Sequence, residues 1–307
     1  MSKTAFVFPG QGSQKIGMLE GWGNKLSETF KIASEVLGYD LWKLIQEGPQ
    51  ERLNQTEYTQ PAVLTSSLAM WFLAKKWGAT PDCVAGHSLG EFSALVAAEV
   101  LSFEDAVSLV QKRGKFMQSA VPIGRGGMAA ILGLEDEIVV EICRTCSRTD
   151  VLETANFNSP GQVVIAGHNG ALNRAIEACK AAGAKRAILL PVSAPFHCRL
   201  MKPAAAELAD ILNNTCLKEP NIELLQNVDA QYAKTVEDIR DNLVAQMSKA
   251  VLWTPTIQNM VRDGVGTVVE CGPGSVLSGL SRRIDKSIRA LSISSERDIR
   301  SVLDTIL

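Results

Sequence analysis

The 307-residue sequence has no uninterrupted apolar run of about 18 residues, so no segment qualifies as a membrane-spanning helix. The apolar run near the N-terminus stops at Pro9, too short for the core of a secretory signal, and a cytoplasmic location is expected. Neither sign of charge is in excess. The 31 basic and 33 acidic residues are interspersed for a net charge of −2, which leaves no basic stripe. Neither nucleic acid nor a membrane is therefore an expected partner. The seven cysteines (83, 143, 146, 179, 198, 216 and 271) are odd in number and scattered, unlike a disulfide framework, and are expected to be reduced thiols. Cys143 and Cys146 form a CxxC late in a predicted helix, with no second CxxC and no histidine nearby, which favours packing over metal or redox chemistry. Internal repeats, low-complexity tracts and long Pro- or Ser-rich linkers are also missing. Histidine is scarce, with three in the whole chain, so a histidine base has few candidates.

What is present reads as strands alternating with helices. Residues 4–8 form a short apolar run ended by Pro9 and Gly10, the pattern of a buried parallel strand opening into the loop Gly10-Gln11-Gly12-Ser13-Gln14. A second unit at 83–85 enters Gly86-His87-Ser88-Leu89-Gly90. Beyond it, Leu89, Phe92, Leu95, Val96 and Val100 repeat at helical spacing. Residues 267–271 repeat the theme and break at Gly272-Pro273-Gly274 before another predicted helix. The alternation implies an α/β fold whose core is a mostly parallel, hydrolase-like sheet.

Between 124 and 191 the rhythm changes. Strands are predicted at 128–132, 151–157, 162–166 and 186–191, with helices at 135–144 and 170–182. The order βαββαβ predicts an inserted ferredoxin-like small subdomain. Residues 1–123 and 192–307 would then form the large subdomain and 124–191 the small one, with a cleft between them suited to a ligand.

Gly86-His87-Ser88-Leu89-Gly90 is a G-x-S-x-G pentapeptide on a strand-to-helix turn. Its glycines allow a sharp bend that lifts a serine hydroxyl to a helix N-terminus, where backbone N–H groups can hold an oxyanion; taken without its flanks, the motif also describes a tight structural turn. A serine nucleophile needs a base, normally histidine. His87 adjoins Ser88, and neighbouring side chains point apart at a sharp turn, which suits a structural role. His168 ends a predicted strand, where a surface or capping role fits better. His197, in Ser193-Ala194-Pro195-Phe196-His197, follows a strand on a Pro-stiffened loop where the two parts meet, and it is the expected base. Arg113 falls on the helix after the elbow helix. Most helical arginines are solvated, but one facing the cleft would clamp a carboxylate through its planar fork and so select a dicarboxylic acyl group.

As a set, the motifs Phe8-Pro9-Gly10-Gln11-Gly12-Ser13-Gln14, Tyr58-Thr59-Gln60-Pro61-Ala62, Gly86-His87-Ser88-Leu89-Gly90-Glu91, Arg113-Gly114, Asn156-Phe157-Asn158-Ser159-Pro160-Gly161-Gln162, Pro195-Phe196-His197 and Gly272-Pro273-Gly274 are far more specific. With them, nearly end to end, the chain resembles the malonyl-CoA:acyl carrier protein transacylases of type II fatty acid synthesis and the acyltransferase domains of polyketide synthases. The resemblance implies that Ser88 is acylated, that His197 is its base and that Arg113 pairs with the free malonyl carboxylate. It implies an oxyanion hole from the backbone N–H groups of Gln11 and Leu89, and a main-chain carbonyl at Gln246 that orients the histidine in place of an aspartate. Relatives vary just before the histidine, and Phe196 is similar to the malonyl-selective version in polyketide relatives.

The implied partners are malonyl-CoA and acyl carrier protein, the implied mechanism is ping-pong, and no metal or redox cofactor is called for. Carrier proteins of this pathway are acidic, so Lys185-Arg186 and Arg282-Arg283 are candidates for docking, or else a solvated face. A serine thioesterase or lipase of the α/β-hydrolase type shares the pentapeptide, but it usually needs an acid between serine and histidine and an HGGG-type loop, which this chain lacks. A carrier-binding module without catalysis would not need Ser88, His197 and Arg113 together.

Overall fold

The computed structural model describes residues 2–122, 124–192 and 194–306; Ile123, at the expected subdomain boundary, and Ser193, in the motif before His197, lie outside them. The apolar runs become strands. β1 (Lys3–Phe8) and β2 (Cys83–Gly86) are buried on both faces apart from Lys3. Their alternate residues divide between two cores. Phe6, Phe8 and Val84 belong to one that includes Trp71, while Ala5, Val7, Cys83 and Ala85 belong to another with Trp253. Burying a large apolar side chain contributes roughly 1.5–3 kcal/mol, so helices on both faces hold this sheet.

Along the rest of the chain come β3 (Gly126–Leu132), β4 (Leu152–Ser159), β5 (Gln162–His168), β6 (Arg186–Leu189), β7 (Glu223–Leu225), β8 (Val265–Cys271) and β9 (Arg289–Ile293). The large sheet has the order β7-β2-β1-β8-β9, and all its pairs are parallel. Phe8 pairs with Gly86, so the loop after β1 and the turn after β2 leave the same edge side by side.

The small sheet is antiparallel, with the order β4-β5-β3-β6, and the helices Asp136–Ser147 and Asn169–Ala181 accompany it. This is the ferredoxin-like arrangement. Its helix packing follows period two: Ala129, Ile131, Val163 and Ile165 join Val139, Leu172 and Ile176 in a separate core, whereas Met128, Val164 and Ala166 face the main body. Cys143 packs in that separate core. Two backbone bonds attach β4 to the main body, Phe157 N–H to Val251 O (2.9 Å) and Val251 N–H to Ala155 O (2.9 Å).

The boundaries differ from the sequence expectation at several ends. The helix expected at 135–144 continues to Ser147, and the strand expected at 186–191 stops at Leu189. Pro191 cannot donate to a ladder, which accounts for the early stop. Among the described residues no helix is long and apolar enough to cross a membrane.

Candidate active site

The serine sits on an elbow whose two glycines are dictated by close approach. A Cβ on Gly86 would lie 1.9 Å from the Gly90 carbonyl, and one on Gly90 would lie 2.0 Å from Phe8 O. Ser88 itself has φ 53°, the left-handed region that disfavours a side chain by about 1–3 kcal/mol. Asn227 holds that strained turn from beyond β7. Its Oδ1 accepts from Ser88 N–H (2.7 Å) and its Nδ2 donates to Gly86 O (2.6 Å). The helix that follows, Gly90–Ala97, is buried along its whole length.

His197 also has a left-handed φ, 58°, and is nearly inaccessible to solvent. A Cβ on Gly126 would come within 2.7 Å of Pro195, so β3 abuts the loop that carries the histidine. Nε2 of His197 lies 2.7 Å from Ser88 Oγ, and Nδ1 lies 2.7 Å from Gln246 O. A carbonyl can only accept, so Nδ1 carries the proton and Nε2 is free to take the serine proton. Burial, followed by the nearby Arg113 cation, pushes the imidazole pKa down to about 3 and keeps the ring neutral.

Arg113 is 1% exposed, the opposite of a solvated helical arginine. The landmark glycine after it explains how it reaches the site. A Cβ on Gly114 would stand 2.7 Å from Glu57 Cα and Thr56 O, so the helix Phe103–Ser119 runs hard against the helix Thr56–Lys76. Across that contact, Nη1 of Arg113 donates to Gln60 Oε1 (2.8 Å). Nη2 donates to Gln246 Oε1 (2.7 Å) and to Ser88 Oγ (3.3 Å), while Nε is buried without a partner. Among the described residues no carboxylate bonds this guanidinium. Burial lowers its pKa to about 10, with Glu91 the one acid opposing that shift, so it remains a cation at neutral pH.

A cavity of about 120 Å³ surrounds these groups, lined by Gln11, Leu89, Met117, Met128, Val192 and Phe196 besides Ser88, Arg113 and His197. Leu89 caps the elbow helix and Gln11 lies on the turn after β1, and the backbone N–H of each has no partner among the described residues. A second cavity of about 240 Å³ shares Gln11, His87, Asn156 and Leu190 with the first and extends to Val276 and Leu280. Val276, at the far side of this second cavity, is 56% exposed.

The other candidates fall elsewhere. His87 bonds through Nε2 to Asn158 Oδ1 (2.8 Å) and stacks edge-on against Trp253, tying the elbow to β4. His168 Nδ1 accepts from Val151 N–H (3.0 Å) at the edge of the small sheet. Arg283 donates to Gln162 Oε1 on the rim of the outer cavity (2.9 Å), whereas Arg282 is bonded to Ala290 O; Lys185 and Arg186 are exposed. After Gly272-Pro273-Gly274, the helix Val276–Ile284 has its N-terminus filled by Glu270, which accepts from Ser278 N–H (2.7 Å), so that end offers no site for an outside anion.

Sequence reasoning assigned no role to Gln60, Glu91 or Asn227. Glu91 carries the clearest overlooked signal, as the lone charge on an otherwise uncharged helix.

The family model for the acyl transferase domain matches residues 5–297. A malonyl CoA-acyl carrier protein transacylase from Haemophilus influenzae is 49% identical over 307 residues, covering 98% of this chain and 98% of the relative. The structure of an acyl carrier protein S-malonyltransferase from Vibrio cholerae gives a TM-score of 0.95 at 48% identity, over 98% of this chain and 100% of that one. A malonyl-transacylase in complex with its type II PKS acyl-carrier protein gives 0.97 at 47% identity, over 99% and 100%. A family match across nearly the whole length, on a parallel core with a ferredoxin-like insert, establishes that the chain belongs to the acyl transferase domain family.

Proposed function

We propose that this chain transfers a malonyl group from coenzyme A to the phosphopantetheine thiol of an acyl carrier protein, through an ester on Ser88. His197 Nε2 takes the Ser88 proton as Oγ attacks the thioester carbonyl, and the oxyanion is held by the Gln11 and Leu89 N–H groups. The carbon–sulfur bond then breaks and coenzyme A leaves as a thiol with the proton from His197. In the second half the carrier thiol gives its proton to His197, attacks the ester, and Ser88 departs with that proton. Gln246 O stabilises the imidazolium that forms in each half, and Phe196 narrows the acyl pocket against a branched group. The reaction runs on thioester and ester exchange alone, as proposed here without metal or redox cofactor. Residues 1–123 and 192–307 serve as the catalytic subdomain and 124–191 as the smaller one that closes over the acyl group. The work takes place in the cytoplasm.

The observation that carries this reading is Arg113. A buried guanidinium with no carboxylate partner among the described residues, and one N–H unpaired there, is costly unless an anion arrives to pair with it. A malonyl ester on Ser88 supplies that anion within reach. A hydrolase for neutral acyl chains has no use for such a charge, and here a carbonyl rather than a carboxylate faces His197. The test is to follow labelled malonyl-CoA with and without holo carrier protein. Label passing to the carrier supports transfer; label released as free malonate at the same rate with or without carrier would replace it by hydrolysis.

A further inference from the structure

Glu91 lies one helical turn beyond Ser88, fully buried; its N–H donates to Ser88 O (3.1 Å), while its carboxyl group bonds neither the serine nor the histidine side chain. Three donors converge on its carboxyl group. Gln246 Nε2 stands at 2.7 Å, Asn227 N–H at 3.2 Å and Gln226 Nε2 at 3.3 Å. A carboxyl group that accepts from three donors and meets no acceptor is suited to the ionised state, because a proton on it would face a donor.

The donor at the closest approach belongs to the busiest residue of the site. The Gln246 side chain is held at both ends: its Oε1 accepts from Arg113 Nη2, and its Nε2 donates to Glu91 and to Ser88 O (3.0 Å). Its main-chain carbonyl receives His197 Nδ1–H. Arginine can only donate and a carboxylate can only accept, so the two charges fix which way the amide points. Asn227, bonded to Glu91 through its N–H, is the residue that clamps the elbow.

We infer that Glu91 is a positioning residue of the reaction: as an anion it locks Gln246 and Asn227, and through them the orientation of His197, Arg113 and the Ser88 turn. The inference rests on the malonyl-transfer reading and deepens it. The titratable and charged groups around Glu91 are Arg113 on the helix Phe103–Ser119, His197 on the loop after β6, His87 on the elbow, and Asp229, which is reached through Asn242 and Gln226. None of them bonds Glu91 directly, and Arg113 is the one that favours its charge. Burial outweighs that help and raises the Glu91 pKa to about 7.

The experiment is the rate of Ser88 malonylation by malonyl-CoA, measured by rapid quench and intact mass between pH 5.5 and 8.5, in the parent chain, Glu91→Gln and Glu91→Asp. In the parent the rate is expected to fall as pH drops through about 7. Glu91→Gln is expected to be slower at pH 8 by up to about 10²-fold, the scale of a misplaced catalytic group, and to lack the acid step. Glu91→Asp, which keeps the charge, should recover part of the rate and retain the step, and it serves if Glu91→Gln does not fold. A parent malonylated without an acid step overturns the inference alone, as does a step that survives in Glu91→Gln or a parent-like rate in that variant. A parent never malonylated at any pH overturns the malonyl-transfer reading and this inference with it.

Discussion

Arg113 shows at the scale of one residue how burial turns a common side chain into a selective one. Its cation is already desolvated, so pairing with an incoming carboxylate requires little further loss of water on the protein side. Arg113→Ala is therefore expected to slow malonylation of Ser88 by roughly 10²–10³-fold, since truncating one partner of a buried charge pair costs about 2–5 kcal/mol. Acetylation from acetyl-CoA, which offers no carboxylate, should change far less, so the malonyl-to-acetyl rate ratio measured by mass spectrometry is the readout. An unchanged ratio would contradict the pairing. Ser88, His197 and Arg113 were legible in the sequence because each sits in a short motif with a chemical reason for its residue type, whereas Gln246 came only through the family resemblance, since it acts on His197 by a main-chain carbonyl that any residue carries. Asn227 was not, because its partners Ser88 and Gly86 are 139 and 141 residues away and no spacing encodes such a contact. Gln60 and Glu91 stood inside quoted motifs, but the reason for each, a contact with Arg113 or Gln246, exists only after the helices pack.

Elements place these residues through a few backbone contacts rather than through long loops. The helix Phe103–Ser119 delivers Arg113 because Gly114 lets it approach the helix Thr56–Lys76. Gly114→Ala would push Cβ against backbone atoms at 2.7 Å, and is expected to cost about 1–3 kcal/mol through overpacking. It should also lower the malonyl-to-acetyl ratio by moving Arg113 off Gln60. Gly279→Ala supplies the contrast. It lies within the helix Val276–Ile284 with nothing within 4 Å of the added methyl, so a gain of about 0.4–1 kcal/mol is expected by thermal or urea unfolding. Equal effects from the two substitutions would count against the packing account. The strands and helices of the insert were legible because period-two and helical patterns are local. The early end of β6 at Leu189 was within reach of the sequence through Pro191, whereas the continuation of the helix to Ser147 depends on end fraying that local patterns do not contain.

For the whole molecule, the buried ionisable groups make stability depend on pH in opposing directions. His197 has its folded pKa depressed to about 3, so the unfolded chain binds its proton first and stability falls as pH drops from about 6.5 toward 3. His87, also lowered by burial, acts in the same direction. Glu91 has its folded pKa raised to about 7, above its unfolded value near 4.5. The folded chain therefore binds that proton first, and stability rises as pH falls between them. Glu91→Gln removes only the second contribution. Its stability is expected to fall more steeply than that of the parent between pH 6.5 and 5, by up to about 1.4 kcal/mol per pH unit, in urea unfolding at fixed temperature. Parallel pH profiles would show that Glu91 does not take up a proton on folding in this range. The same groups meet at the junction of the two sheets, where β4 is bonded to Val251 and His87 reaches Asn158, so the acyl pocket is a property of both parts of the chain. The central claim, malonyl transfer through Ser88, is tested most directly by intact-mass spectrometry after brief exposure to malonyl-CoA, beside Ser88→Ala. The account predicts one malonyl adduct that is absent from Ser88→Ala and is discharged when holo carrier protein is added. An adduct that persists in Ser88→Ala, or free malonate with no transfer to the carrier, would contradict it.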